Sequence, residues 1–286
     1  MSAKSQVAIV LVILFFGYMI AQVIALGLMT SKFGSLESTQ KILQGEGVKE
    51  SEFVYLIWVN VFVQGVWALI TFFGTQRLLS KIPIPQLKNI QLMTICLGIV
   101  WIFLSIPGVY AIGAWIEPIF PASWLSTGME NSSNAFYENL LGSAHVSMLP
   151  VFISTVFAAP VFEELIFRGT IQPMLSNLFR SPHIAIWISA ILFSAIHLQL
   201  AGFIPRVILG ALLGYLTFWS KSIYPSIFAH ASFNAFSLFM SMTPNYEEVF
   251  NNLVETLWFP ILSIWLGIAC YFVFAKKYKP ASAITK

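Results

Sequence analysis

The sequence contains no aspartate; all 12 of its acidic residues are glutamate. Charged residues of both signs make up only 9% of the 286 positions, against about 25% in an average soluble domain. So few charges cannot cover a water-facing surface. Without aspartate, a two-aspartate intramembrane protease is excluded. HExxH is missing, and with it the usual helical zinc-protease site. Neither GxSxG nor GxSG occurs, so no serine is marked as a nucleophile. The two cysteines, Cys96 and Cys270, lie in apolar runs with no CxxC, which leaves no disulfide framework. The net charge is only +3 and no Lys/Arg cluster exceeds juxtamembrane size, so nucleic acid is not an expected partner.

What the chain has in abundance is hydrophobic residues, at 58%, in recurring long runs. A polytopic all-α membrane bundle follows, because helices satisfy their own backbone polar groups in lipid. We expect one integral membrane domain over 1–286 with about eight spans. These are Val7–Met29, Phe53–Gly74, Ile90–Gly113 (interrupted at Pro107-Gly108), Met148–Gly169, Ile184–Leu200, Pro205–Trp219, Ile223–Met240 and Leu257–Ala275. The first run resembles a signal peptide but shows no convincing cleavage site, so it reads as a retained span. Lys4, Arg77, Lys81, Lys88, Arg180, Lys221, Lys276, Lys277 and Lys279 fall on one side if both termini are cytoplasmic. That arrangement follows the positive-inside rule, with Lys32, Lys41, Lys49 and Arg206 against it. Residues 276–286 then form a short cytoplasmic tail.

Charges are sparse in the spans, and "FEELIFRGT" (Phe162 to Thr170) is the conspicuous exception. On a helix Glu163 and Glu164 point about 100° apart, while Glu164 and Arg168, four apart, share a face. A charge in a low-dielectric bundle needs a partner. The economical pairing is Glu164 with Arg168, which leaves Glu163 for another task. His197 closes "FSAIH", and His230 and Asn234 share a face in "HASFN". His183 and His145 read as interfacial. If the fourth span ends near Gly169, Glu163 and His230 both lie roughly 10 Å below the cytoplasmic interface at about 1.5 Å per residue. His197 is expected deeper.

A carboxylate in a poorly solvated cavity becomes basic enough to take a proton from water. Histidines can position that water, and an asparagine N–H can stabilise an oxyanion. Such a set suits amide hydrolysis with no covalent intermediate. Glu163, His197 and His230 are also an alternative zinc set with an open position.

"EELIFR" (Glu163 to Arg168), "FSAIH" (Phe193 to His197) and "HASFN" (His230 to Asn234) resemble the three motifs of the CAAX-protease and bacteriocin-processing family. These are glutamic-type intramembrane endopeptidases, among them the Ras-converting CAAX prenyl endopeptidases. "GALLGYL" (Gly210 to Leu216) is similar as well. The likeness covers about Pro150 to Phe239, within an expected catalytic core of 148–240. It implies an eight-span bundle with a cavity open to cytoplasm and lipid. It implies Glu163 as the residue that activates water, Glu164 held by Arg168, and His197 working with the base. His230 and Asn234 would position water or form the oxyanion hole. No resident cofactor is implied, zinc being the alternative.

The expected activity is cleavage of a peptide bond near the C-terminus, or a membrane-proximal part, of a lipidated or membrane-associated substrate. A metal-dependent membrane protease on the same residues is one alternative. A non-catalytic immunity protein or peptide-binding scaffold is another. Polar residues confined to the second half of the chain favour an enzyme over a transporter built from repeats. The expected setting is a bacterial or archaeal plasma membrane, or the endoplasmic reticulum of a eukaryote. The bilayer and a membrane-associated peptide are the expected partners, and the oligomeric state is left open.

Overall fold

The computed structural model describes residues 2–35, 37–39, 49–78, 92–120, 148–200, 202–243 and 255–278, with isolated positions 245, 248 and 252. Each expected span corresponds to a helix: α1 (Ala3–Phe33), α2 (Glu50–Leu78), α3 (Leu92–Ile116), α4 (Met148–Phe179), α5 (Pro182–Ala195), α6 (Phe203–Ser220), α7 (Tyr224–Ser241) and α8 (Trp258–Lys277). All secondary-structure elements among the described residues are helices. Six of them, all but α5 and α7, are long and apolar enough to cross a membrane. The fold is an all-α polytopic membrane bundle. Residues 121–147, with His145 among them, and tail residues 279–286 lie outside the described residues.

Apolar residues dominate most sides of the helices, so burial rather than polarity identifies the central one. In α6, 61% of the most apolar stretch is buried, against 17% in α1 and in α8. Small residues make this possible. A methyl at Gly210 would sit 3.2 Å from the Ala190 Cβ, and one at Gly214 2.9 Å from the Ile186 Cγ2. The Gly-x-x-x-Gly spacing therefore lets α6 approach α5 closely, as small residues do between membrane helices. Phe15, Phe16, Val23, Phe62 and Phe73 are exposed, a surface suited to acyl chains.

Three expected boundaries are corrected. Pro107 does not interrupt α3, which runs through it. The Ser263 hydroxyl of α8 enters the opened turn, accepting from the Gly108 N–H at 2.9 Å and donating to the Leu104 carbonyl at 2.5 Å. The side chain is inserted into the adjoining rung, between residues 104 and 108, and satisfies the two groups parted by the proline's opening of the turn. α4 continues past Gly169 to Phe179 and is not uniformly α-helical. It carries two π-helical segments, Ile153–Ala158 and Phe167–Ile171. α5 stops at Ala195 rather than Leu200, so His197 lies in the turn that follows it.

Two hairpins bring the motif-bearing helices together. Arg180 ends α4 in the left-handed conformation (φ 52°), the Ser181 hydroxyl accepts from the Ile184 N–H, and Pro182 opens α5. Lys221 ends α6 in the same way (φ 53°), ahead of α7.

Candidate active site

The two π segments of α4 each finish two residues before a proline, Pro160 and Pro173. In the first, the Ala159 N–H bonds back five residues to the Ser154 carbonyl. The next residue, Pro160, has no N–H to give the Thr155 carbonyl. That carbonyl accepts from the Asn234 side-chain amide of α7 at 2.8 Å. A local irregularity of α4 thus fixes one side chain of the third motif. π turns are frequent at functional sites.

One turn further along α4 stands the buried ion pair. Arg168 Nη1 lies 2.7 Å from Glu164 Oε1, with side-chain exposures of 1% and 0%. The second guanidinium nitrogen donates to the Gly210 carbonyl of α6 at 2.7 Å. Above the guanidinium lies the Phe193 ring, 5.0 Å from centroid to Arg168 Cζ. The fork geometry of arginine, unlike lysine, serves two acceptors and a ring at once.

His230 connects this pair to Glu163. Its Nδ1 lies 3.0 Å from Glu164 Oε1, and its Nε2 lies 3.8 Å from Glu163 Oε2. Donation from Nδ1 to the Glu164 carboxylate leaves Nε2 facing Glu163. Glu163 is 21% exposed, so of the two carboxylates it is the one open to a ligand or to water. His197 Nδ1 bonds the Phe193 carbonyl at 2.8 Å. Its ring stands edge-on to Phe193 at 5.3 Å, and Phe193 in turn meets the His230 ring at 5.8 Å. Phe193 therefore spaces the two histidines and covers Arg168.

The structure thus brings Glu163, Glu164, Arg168 and His230 into one connected chain. Asn234 lies one turn along α7, and His197 lies beyond Phe193. The expected depths are revised by the longer α4. At about 1.5 Å per residue, Glu163 lies about 24 Å from the Phe179 end. His197 lies about 22 Å from the start of α5 by the same measure, which matches Glu163 across the α4–α5 hairpin. His230 is about 9 Å into α7 and meets Glu163 because α4 continues beyond the level at which α7 begins. His183 bonds the Tyr215 hydroxyl at 3.1 Å and packs on aromatic rings away from this chain. Among the described residues, no group of three or more His, Cys or Glu side chains is gathered to hold a metal ion.

Sequence reasoning missed two groups. Gln172, one turn after Arg168, donates to the Gly214 carbonyl at 3.0 Å. Its signal was the four-residue spacing shared by Arg168/Gln172 and Gly210/Gly214. Asn60 and Gln64, bonded to each other at 2.7 Å, stand near the middle of α2. Polar side chains are therefore not confined to the second half of the chain.

Comparison with known proteins agrees with this layout. Residues 145–236 match the family described as Type II CAAX prenyl endopeptidase Rce1-like. That stretch holds all three motifs. Over this core the match supports the resemblance to the CAAX-protease and bacteriocin-processing family. A curated relative, "Putative membrane peptidase YdiL" of Bacillus subtilis, is 27% identical over 198 residues, covering 65% of this chain and 76% of its own length. No solved structure matches the chain. Within the family match, the ion pair, both histidines and Asn234 fall on α4, the turn after α5, and α7, while α1 to α3 and α8 lie outside it.

Proposed function

We propose that this integral membrane protein, which resembles a peptidase family, is a glutamate-activated endopeptidase. Its catalytic core is 148–240, and it cuts a membrane-associated or lipidated peptide. The observation that carries the reading is the chain Arg168–Glu164–His230–Glu163, which ends at the one partly open carboxylate. Arg168 neutralises Glu164, and Glu164 fixes the His230 ring. Glu163 takes a proton from a water held between its carboxylate and His230 Nε2. The resulting hydroxide adds to the substrate carbonyl, and the tetrahedral intermediate collapses as Glu163 returns the proton to the leaving amine. No covalent acyl-enzyme forms.

His197 spends its Nδ1–H on the Phe193 carbonyl, which fixes its tautomer and leaves Nε2 as an acceptor beside the base. Asn234 gives one amide N–H to Thr155 and keeps a second for the oxyanion. The bilayer of a plasma membrane, or of the endoplasmic reticulum, is the proposed setting, with the site reached from cytoplasm and lipid.

The test is a cleavage assay on purified protein with a panel of lipidated peptides and single-span membrane proteins, run beside Glu163→Gln. The variant should fold, keep binding and lose about 10²–10⁴ in turnover, the range for a general base. Full cleavage by Glu163→Gln would reject the glutamate mechanism. Stoichiometric zinc in the preparation, with chelator loss restored by metal, would move the reading to a metalloprotease. A wild type that binds but never cleaves would make it a peptide-binding scaffold.

A further inference from the structure

Asn60 and Gln64 sit near the middle of α2, a helix apolar enough to cross the membrane, and Asn60 is exposed. An amide exposed to acyl chains is costly, since nothing there can hydrogen-bond it. Such a group belongs against protein, a ligand or a water-filled cavity. The fold shows which way it faces. Gly65 packs on Phe162 of α4, where an added methyl would sit 3.0 Å from the ring, and Phe72 lies against Gly169 further along. Phe53 and Ile57 share a cluster with Val151 and Val156. α2 and α4 therefore run parallel, with Gln64 level with Phe162 and Asn60 about one turn away.

At about 100° per residue, the exposed apolar stripe Trp58, Phe62, Leu69 and Phe73 lies about a quarter-turn to one side of the α4-facing residues. Asn60 and Gln64 lie about a quarter-turn to the other side. On α4, Glu163 follows Phe162 by about 100°. In two parallel right-handed helices facing each other, these rotations carry the amide pair and Glu163 to the same side. The pair thus stands away from the lipid-facing stripe, beside the carboxylate and at its depth. Packed helix axes are separated by only about 8–10 Å, so groups on the same side of two such helices are close enough to contact one extended peptide strand.

The chemistry left over fits a peptide backbone. The Gln64 Nε2 to Asn60 Oδ1 bond consumes one donor and one acceptor. Two Asn60 N–H groups, one Gln64 N–H and the Gln64 carbonyl oxygen remain in the pair, able to give to a backbone C=O and accept from a backbone N–H. Both atoms carry no sequence information, so they would hold many peptides in one register.

We propose that Asn60 and Gln64 form a backbone-binding ledge that lays an extended substrate strand along α2, its scissile carbonyl over Glu163. The proposal rests on the peptidase reading, and it assigns α2, outside the family match, a role in substrate binding. It is tested by binding rather than turnover, in the Glu163→Gln full-length protein in detergent. The probe is a fluorescein-labelled ten-residue peptide ending in a lipidated cysteine segment, read by anisotropy.

Asn60→Leu/Gln64→Leu should weaken Kd about fivefold to fiftyfold with an unchanged unfolding temperature, the range for two hydrogen bonds. N-methylation of alternate peptide backbone nitrogens should weaken binding to the parent protein and add little in the double variant. Equal Kd for parent and double variant, including no measurable binding by either, overturns the ledge, whatever Glu163→Gln does to cleavage. A second arm replaces Cys96 and Cys270 by serine and places Asn60→Cys in that background. A membrane-impermeant maleimide should label it, and the peptide should slow the labelling. No labelling, or a disulfide-linked dimer on oxidation, overturns the proposal and assigns the pair to lipid-buried or copy-to-copy packing.

Discussion

Gln172 and Gly214 are joined by a side-chain to backbone hydrogen bond of 3.0 Å, one helical turn along from the bond between Arg168 and Gly210. Two donors four apart on α4 thus meet two glycine carbonyls four apart on α6. The glycines also have to be small. A methyl at position 214 would lie 2.8 Å from Gln172 Oε1 and 2.9 Å from Ile186 Cγ2.

Gly214→Ala should therefore destabilise the bundle by about 1–3 kcal/mol, the range for overpacking a close contact. Thermal unfolding in detergent would read this as a lower midpoint. An unchanged midpoint would mean that α5 and α6 separate without cost, against the packing seen.

Arg168→Ala strands the Glu164 carboxylate in a fully buried position. Breaking such a pair costs about 3–5 kcal/mol. Folded yield and cleavage should both drop, and Arg168→Lys should recover only part, because it cannot serve Glu164, Gly210 and Phe193 together. An alanine variant with normal unfolding temperature and full activity would refute the pair's structural role.

Asn234→Ala should lower turnover by about 10²–10³, the cost of one oxyanion donor. Pro160→Ala tests the same residue from the other helix. It gives position 160 an N–H that competes for the Thr155 carbonyl and releases the Asn234 amide. Turnover should fall several-fold while the unfolding free energy stays within about 1 kcal/mol of the parent, since a backbone bond replaces a side-chain bond. If the proline variant were as active as the parent, the Thr155 contact would have no part in placing Asn234.

The charge pattern predicts that reporter fusions after residues 85, 130, 180 and 245 read in, out, in and out. Two sites in the opposite sense would end the topology with both termini cytoplasmic.

The bundle itself was legible because membrane spans announce themselves through long apolar runs. The Glu164–Arg168 pair was legible from a spacing of four. The rest depended on partners distant in sequence. Nothing local says that Ser263 fills the gap at Pro107, 156 positions away, or that His230 takes Glu164 as well as Glu163. The end of α4 was misplaced because "QPMLSN" (Gln172 to Asn177) reads as a polar break, whereas Gln172 is buried and bonded to α6. The two prolines were visible, but their pairing with π turns was not. Propensity identifies a disrupted turn without saying which neighbour mends it.

Ser263 also orders events during synthesis. The Leu104 carbonyl and the Gly108 N–H of α3 are completed by a hydroxyl from α8, the last in chain order of the eight long helices among the described residues. Until that helix arrives, a freshly inserted α3 carries an open turn inside the bilayer, where unmet backbone groups are unfavourable. A nascent chain holding only the first seven helices is thus an unfinished bundle with a mark a quality-control system could read. Docking of the eighth helix erases it.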